Sequence, residues 1–369
     1  MDKTIESLVR ASIKKISPYI PGKPMEELQR ASGIDASKII KIASNENPLG
    51  PSPKVKEAIR RYAKNVSRYP EGSGYYLKNR LSEKFKVSPE NIILGSGSSE
   101  IISMAMETFL NPGEEIIYPL PSFQIYTILA YKTAATAVEV PLNDDFSYNL
   151  SRFYDKITSK TKMIILCNPN NPTGTAIYSQ QIENFLQRIP ENIIIVADEA
   201  YAEYVEDKNF GRSFPYIHKK NIIIARTFSK IYGMAGLRIG YGIAKSEIIG
   251  FMERIRPPFN TTGVGQEAAI AAMDDKHYLQ KSFENNIKGK YYLYSELKKL
   301  DIGYIPTEAN FILCRFKKDA SSIVKELENR GIIVRYMNVP GLGKEYVRIT
   351  IGTESENCTF INNLKEICK

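Results

Sequence analysis

Short β-rich apolar runs alternate with longer amphipathic stretches between Asn91 and Ala244, and this alternation limits the possible folds more than any other feature. The apolar runs are IILGS, EEIIYP, KMIILC, NIIIVA, NIIIAR and RIGYGIA, and the amphipathic stretches are EIISMAMETFL, SFQIYTILAYK and SQQIENFLQRI. Strands that alternate with helices predict an α/β domain around a largely parallel sheet. The runs are almost continuously apolar, as expected for strands that are covered on both faces.

The last run of this series is predicted to be antiparallel to its neighbours. Between NIIIAR and RIGYGIA lie only about a dozen residues, including two glycines, which leaves little room for the helix that a parallel crossover needs. The expected sheet is therefore mixed, mostly parallel, and packed between helices.

A second, smaller α/β domain is expected in the C-terminal part, because 369 residues exceed the roughly 100–200 residues of an average domain. Helical stretches near Glu247 to Ile255 and from about Gln280 to Leu300 lead into a βαβ-like segment, FILCRF, ASSIVKELENRG, IIVRYM and YVRITIG. The predicted parts are residues 1–45, an N-terminal arm that joins the small domain, residues 46–280, the large domain, and residues 281–369, the small domain.

The charge favours a small anionic substrate over nucleic acid. The formal net charge is +9, but the basic residues are scattered among 41 acidic ones, which is typical of a solvated basic surface. A mild positive bias steers phosphorylated or carboxylated small molecules toward the protein.

Cysteine and histidine usage predicts neither a disulfide framework nor a metal site. The four cysteines have no C-x-x-C spacing and there are only two histidines, so free thiols in a reducing compartment are expected. The N-terminus, MDKTIESLVRASIKK, is charged throughout, and no apolar run reaches the length of about 18 residues that a membrane span needs. A cytoplasmic protein without a membrane span is expected.

In open α/β sheets ligands bind at the carboxyl ends of the strands, so the residues after each apolar run are the candidates for chemistry. Gly95-Ser96-Gly97-Ser98-Ser99-Glu100 follows the first run and opens a helix, where free N–H groups and the helix dipole attract a phosphate. Taken alone, this segment is better interpreted as a Gly/Ser turn with a helix cap, and it matches neither G-x-G-x-x-G nor the P-loop well.

Three further loops carry polar groups at strand ends. Asn168–Gly174 is a rigid loop of turn-forming residues, and in isolation it is a structural turn. Asp198 ends a buried run and is either a helix cap or the partner of a cation such as a protonated ring nitrogen. Lys230 follows Thr227-Phe228-Ser229 and is either a solvated charge or an amine poised to form a Schiff base.

These loops occur together and in a characteristic order, which decides between the alternatives. In this order the chain resembles the fold type I, pyridoxal-phosphate-dependent class I/II aminotransferases, in the branch of the histidinol-phosphate aminotransferases. The matching segments run nearly the whole chain: Ser17-Pro18-Tyr19-Ile20-Pro21-Gly22, Ser44-Asn45-Glu46-Asn47-Pro48, Arg68-Tyr69-Pro70, Asn171-Pro172-Thr173-Gly174, Asp198-Glu199-Ala200-Tyr201, Ser229-Lys230 with Arg238, and Tyr346–Thr353.

The resemblance implies a role for each matched residue. Lys230 would bind pyridoxal 5'-phosphate covalently, and Asp198 would pair with the pyridine nitrogen. Asn171 and the catalytic Tyr201 would contact the ring hydroxyl. The other implied ligands are Ser98, Ser99, Thr227, Ser229 and Arg238 for the phosphate, Tyr69 of a second subunit for the same phosphate, Phe123 stacked on the ring where many relatives carry Tyr, and Tyr19, Asn47, Arg335 and Arg348 for the substrate.

The implied reaction is transamination, with histidinol phosphate as amino donor and 2-oxoglutarate as acceptor, in histidine biosynthesis. An amine displaces Lys230, which then moves a proton as general base and acid, so ping-pong kinetics and a homodimer are expected. Three alternatives stay open: an aromatic amino acid aminotransferase, a decarboxylase or lyase with the same cofactor, since neighbours of this branch include a threonine-phosphate decarboxylase, and a regulator with an added N-terminal DNA-binding domain, for which there is no room before Tyr19.

Overall fold

A computed structural model describes residues 5–368. Its strands are β1 Ile40–Lys41, β2 Ile92–Gly95, β3 Glu115–Leu120, β4 Thr136–Pro141, β5 Thr161–Cys167, β6 Ile194–Asp198, β7 Ile222–Thr227, β8 Gly240–Ile243, β9 Gly303–Ile305, β10 Phe311–Arg315, β11 Ile332–Ile333, β12 Arg335–Tyr336 and β13 Tyr346–Thr350. Its α-helices are α1 Ile5–Leu8, α2 Met25–Ser32, α3 Pro53–Tyr62, α4 Tyr75–Phe85, α5 Ser98–Phe109, α6 Ile125–Lys132, α7 Leu150–Asp155, α8 Ser179–Arg188, α9 Ser246–Glu253, α10 Gly263–Met273, α11 Lys276–Lys299, α12 Ser321–Asn329 and α13 Glu354–Ile367.

The main sheet has seven strands in the order β2-β8-β7-β6-β5-β3-β4. β4, β3, β5, β6 and β7 pair in parallel, whereas β8 is antiparallel to both β7 and β2. The mixed, mostly parallel sheet and the antiparallel orientation of β8 are therefore confirmed. β4 was not predicted, because this edge strand is half exposed and lacks a continuous apolar run.

Both faces of the central strands are buried, which explains their apolar sequences. Every residue of β6 and β7 is buried. Neighbouring residues alternate between two cores: Ile164 and Ile195 belong to one, and Ile165 and Val196 to the other. Since side chains of a strand point alternately to opposite faces, each strand needs apolar residues at nearly every position. Because these strands also pair in parallel, their carboxyl ends lie at one edge of the sheet.

The C-terminal strands form a second sheet of four strands in the order β12-β13-β10-β9. β13 is antiparallel to both β10 and β12, so β10 and β12 run parallel on either side of it, with α12 between them in the chain. The segment IIVRYM, which we expected to be one strand, is divided instead. β11 pairs in parallel with β1 of the N-terminal segment, and the chain then turns so that Arg335 and Tyr336 join the four-stranded sheet.

The packing of β1 supports the proposal that the N-terminal arm is part of the smaller domain. Ile42 packs in the apolar core around the four-stranded sheet. The domain limits stay a prediction, and the limit between residues 280 and 281 falls inside the long helix α11, Lys276–Lys299. Within residues 5–368, no helix combines the length and the apolar character that crossing a membrane requires.

Candidate active site

A cavity of about 270 Å³ lies at the carboxyl ends of β5, β6 and β7, between the two sheets. Parallel strands bring the loops that follow them to the same edge, so residues far apart in sequence meet there. The cavity brings together most of the site residues that the sequence analysis named: Tyr19, Ser98, Ser99, Phe123, Asn171, Asp198, Tyr201, Thr227, Ser229, Lys230, Arg238, Arg335 and Arg348.

Lys230 presents its amine to this cavity from the loop after β7. The Nζ atom donates to the Ser44 carbonyl oxygen at 3.5 Å and lies 5.3 Å from the centre of the Tyr201 ring. Burial and the positive charge of Arg348 lower the pKa of this amine to about 8, although Glu46 opposes the shift. The neutral, nucleophilic form of the Lys230 amine is therefore far more populated near neutral pH than that of an exposed lysine, although the protonated form is still the larger fraction.

Asp198 lies at the end of β6 and is only 4% exposed. The Tyr126 hydroxyl donates to Asp198 Oδ2 at 2.7 Å, and the Ala200 N–H makes a longer contact of 3.3 Å with Oδ1. Burial raises the pKa of Asp198 to about 6, while the hydrogen bond from Tyr126 opposes this rise. A buried carboxylate without a strong counter-charge fits a ligand that brings a positive charge of its own.

The start of α5 and Arg238 form a cationic, hydrogen-bonding pocket. The first turn of α5, at Ser98 and Ser99, has backbone N–H groups for which the helix itself provides no carbonyl acceptor. The Arg238 guanidinium donates to the Ser96 carbonyl oxygen at 3.1 Å and to Ser229 Oγ at 3.3 Å. Gly97 has a φ of +81°, and a Cβ there would come within 2.8 Å of Arg238 Nη2. The glycine therefore lets the arginine lie against the loop, and the pocket fits a phosphate.

Arg348 is a buried cation that has no carboxylate partner among residues 5–368. It is 9% exposed and donates from Nη1 to Asn171 Oδ1 at 2.5 Å and from Nη2 to the Ala43 carbonyl oxygen at 2.9 Å. Its Nε has no hydrogen-bond partner within the described part of the chain. Burial, reinforced by the charge of Arg335, lowers the pKa of Arg348. Such a group is stabilised when an anion enters the cavity.

Arg335 lies beside Arg348 on the neighbouring strand and reaches the same cavity. Its Nη2 donates to the Ile20 carbonyl oxygen at 2.7 Å, which leaves part of the guanidinium free. Tyr19 packs edge-on against Phe123 with 6.4 Å between the ring centres, so the N-terminal segment forms one wall of the cavity. The two arginines and the two aromatic rings define a pocket for an anionic substrate with a planar group.

Two of the named residues lie elsewhere in this chain. Asn47 is buried outside the cavity, and its Nδ2 donates to the Ile231 carbonyl oxygen at 2.7 Å and to Ser282 Oγ at 3.0 Å. Its amide thus contacts the Lys230 loop and α11, and its predicted contact with the substrate stays a prediction. Tyr69 is 81% exposed and stacks on Phe259 at 4.5 Å. Its contact with a second subunit therefore stays a prediction.

Four residues of the cavity or its surroundings received no role from the sequence. Tyr126 binds Asp198, and Asn45 Nδ2 donates to the Tyr201 hydroxyl at 3.0 Å. Glu46 and Cys167 line the cavity, and burial raises the pKa of the Cys167 thiol to about 12. All four lie in or next to sequence segments with site residues, but only their contacts in the fold distinguish them from their neighbours.

The mixed seven-stranded sheet and the lysine, aspartate and arginines at its carboxyl edge are the features of a fold type I aminotransferase. The chain belongs to the aminotransferase class I and II family, whose model matches residues 37–364.

Within this family, the chain is most informatively compared with histidinol-phosphate aminotransferases. The histidinol-phosphate aminotransferase of Moorella thermoacetica is 44% identical over 360 residues, which are 97% of this chain and 92% of that protein. The histidinol-phosphate aminotransferase of Caldicellulosiruptor saccharolyticus is 42% identical over 361 residues, 98% of this chain and 100% of that protein. The crystal structure of histidinol-phosphate aminotransferase from Sinorhizobium meliloti in complex with pyridoxal-5'-phosphate superposes with a TM-score of 0.89 and 28% identity, covering 98% of each chain.

Proposed function

We propose that this protein is a pyridoxal-phosphate-dependent histidinol-phosphate aminotransferase, which converts histidinol phosphate and 2-oxoglutarate into imidazole acetol phosphate and glutamate. One observation carries the proposal: Lys230, Arg238, Arg335 and Arg348 meet in one cavity, and none of them forms an ion pair within residues 5–368. Such a set of cations suits ligands with several negative charges.

The residues of the cavity fit pyridoxal 5'-phosphate. The pocket at Gly97 and Arg238 suits its phosphate, and the buried carboxylate of Asp198 suits a protonated ring nitrogen. Asn171 Oδ1 already accepts from Arg348, so its Nδ2 group remains to donate to the ring oxygen. The aromatic ring of Phe123, which replaces the Tyr of many relatives, retains the stacking surface.

When bound, the cofactor supplies a carbon that condenses with amines and a ring that accepts an electron pair. The residues of this chain do the rest. Lys230 Nζ would hold the cofactor, and the same amine would serve as the base and acid that moves a proton at the substrate carbon. Asp198 would keep a proton on the ring nitrogen, and the Tyr201 hydroxyl would donate to the ring oxygen. Tyr19 and Arg335 line the part of the cavity that the N-terminal segment and β12 contribute.

Arg335 and Arg348 are proposed to bind the anionic end of both substrates. Histidinol phosphate has a phosphate ester and no α-carboxylate, whereas 2-oxoglutarate has carboxylates only, so one pocket must accept both anions. Planar guanidinium groups form paired hydrogen bonds with either anion. The free Nε of Arg348 offers one more donor to such a group.

A panel of amino donors tests the proposal. Histidinol phosphate, tyrosine and phenylalanine are each supplied with 2-oxoglutarate, and glutamate formation and released carbon dioxide are measured. We expect the highest kcat/KM with histidinol phosphate and no carbon dioxide. If tyrosine has the higher kcat/KM, the aromatic alternative replaces the proposal, and carbon dioxide with any donor would indicate a decarboxylase.

The proposal includes a homodimer in the cytoplasm, with active sites shared between subunits. The exposed ring of Tyr69 supports a shared site, because it lies outside this chain's cavity and is free to contact a second copy. Two-fold symmetric dimers are the commonest homo-oligomers.

A further inference from the structure

We propose that Asn45 is a positioning residue, which orients the Tyr201 hydroxyl so that its proton points into the cavity, toward the ring oxygen of the cofactor. The inference rests on the proposed function, since it needs pyridoxal phosphate in the cavity. It assigns a role to a residue that follows no strand of the main sheet and that received no role from the sequence.

Asn45 is held both by its side chain and by its backbone. Asn45 is 1% exposed, and its Nδ2 donates to the Tyr201 hydroxyl oxygen at 3.0 Å. Its backbone N–H donates to Thr350 Oγ1 at 2.9 Å, and Thr350 Oγ1 contacts Asn45 Oδ1 at 3.4 Å. Its carbonyl oxygen accepts from Asn310 Nδ2 at 3.1 Å. Because the Thr350 hydroxyl donates to Oδ1, the amide has its oxygen toward Thr350 and its donor group toward Tyr201.

This orientation determines where the Tyr201 proton can lie. A phenol has one proton and can accept on its oxygen, and here the oxygen accepts from Asn45. The Tyr201 ring is only 5% exposed and packs edge-on against Phe311 at 5.1 Å, so it cannot swing away. The proton must therefore point away from Asn45, and the open direction is the cavity that Tyr201 lines.

The contact also joins the two sheets. Tyr201 follows β6 of the seven-stranded sheet, whereas Thr350 ends β13 and Asn310 precedes β10 of the four-stranded sheet. Asn45 is held by the second sheet and reaches Tyr201 beside the first. The orientation of the Tyr201 hydroxyl, which lines the cavity, therefore depends on where the four-stranded sheet lies.

A purely structural role for Asn45 predicts a different outcome from a positioning role. Asn45 has a φ of +56°, a left-handed conformation that Asn and Asp adopt more readily than other non-glycine residues. If the backbone were the only reason for Asn, then Asn45→Asp and Asn45→Gly would both behave as the wild type. If Asn45 acts through its amide donor, Asn45→Asp inverts the contact, because the carboxylate accepts the Tyr201 proton and turns it away from the cavity.

The test measures the pH dependence of the visible absorbance of the bound cofactor, without substrate, in the holoenzyme. A hydroxyl that donates to the negatively charged ring oxygen stabilises that charge, so its loss raises the apparent pKa of the Lys230–cofactor linkage. We expect Asn45→Asp to raise this pKa by roughly one unit, about a tenfold change in proton affinity. Tyr201→Phe should give at least the same shift, and Asn45→Gly a smaller one in the same direction.

The double variant Asn45→Asp/Tyr201→Phe separates positioning from the added negative charge of Asp. Without the Tyr201 hydroxyl, Asn45→Asp should add little further shift. An equal shift in both backgrounds would show that charge alone acts and would overturn the inference. It would also fail if neither Asn45→Asp nor Asn45→Gly shifts the pKa while Tyr201→Phe does, which would leave the proposed function intact. No cofactor absorbance in the wild type would instead refute the proposed function.

Discussion

Asp198 should destabilise the protein whenever the cofactor is absent, and Asp198→Asn tests this. The carboxyl group is buried beside Tyr126, and burial raises its pKa from 3.8 to about 6. The pKa of this carboxyl group is higher in the folded state than in the unfolded state. The free energy of unfolding therefore falls as the pH rises and the group ionises in the unfolded chain. The penalty is absent below pH 3.8 and grows as the pH rises through about 6. Asparagine removes the titration while it keeps the shape and an oxygen for Tyr126.

The magnitude follows from the two pKa values. A difference of about 2.2 units corresponds to about 3 kcal/mol at pH 7.5, and the same linkage leaves about 1.6 kcal/mol at pH 5. The asparagine amide loses the contact with the Ala200 N–H, which costs about 1 kcal/mol at any pH. We therefore expect the apoprotein of Asp198→Asn to be about 2 kcal/mol more stable than wild type at pH 7.5, and about 0.6 kcal/mol more stable at pH 5.

Urea unfolding of both apoproteins, followed by far-ultraviolet circular dichroism because the chain has no tryptophan, measures the two free energies of unfolding. The fixed cost of the amide cancels in the comparison between pH values, so the change of about 1.4 kcal/mol is the decisive quantity. A variant whose advantage is the same at pH 5 and pH 7.5 would refute the reasoning. The more stable variant should nevertheless be the poorer enzyme. Because it cannot keep the ring nitrogen protonated, the transamination rate of its holoenzyme should fall by orders of magnitude.

Three other predictions concern the cofactor, the substrate and the assembly. Borohydride reduction of the holoenzyme followed by peptide mapping should place the pyridoxyl label on Lys230, and a label on another lysine would refute its assignment. Arg335→Ala should lower kcat/KM for histidinol phosphate by about 2–4 kcal/mol of transition-state stabilisation and for tyrosine by less; an equal loss would favour the aromatic alternative. Mixing Tyr69→Phe with Lys230→Ala chains should regenerate activity through one unaltered site per heterodimer, and no regain despite proven subunit exchange would exclude shared sites.

Much of the large sheet could be predicted from the sequence, since its information is local. An apolar run that is buried on both faces is visible in the letters alone, and the short link before β8 determined its antiparallel direction. The same local logic placed Asp198 and Lys230 directly after such runs, at the edge where the cavity is found. Local patterns could not reveal β4 or the division of IIVRYM, because both depend on which distant strand is available for pairing.

The sequence by itself thus determined the class of sheet and the residues at its carboxyl edge. Through the resemblance, it also indicated that these residues serve transamination. Only the tertiary structure decided which side chains contact one another around the cavity at this edge. Arg348 contacts Asn171 and Ala43, and Tyr126 contacts Asp198, although these partners are far apart in sequence. Asn47 lies outside the lining of the cavity, and its amide donates to the Ile231 carbonyl oxygen and to Ser282 Oγ. The physical reason is that hydrogen bonds and pKa values depend on distance and burial in space, which sequence spacing does not specify once strands from different parts of the chain pack together.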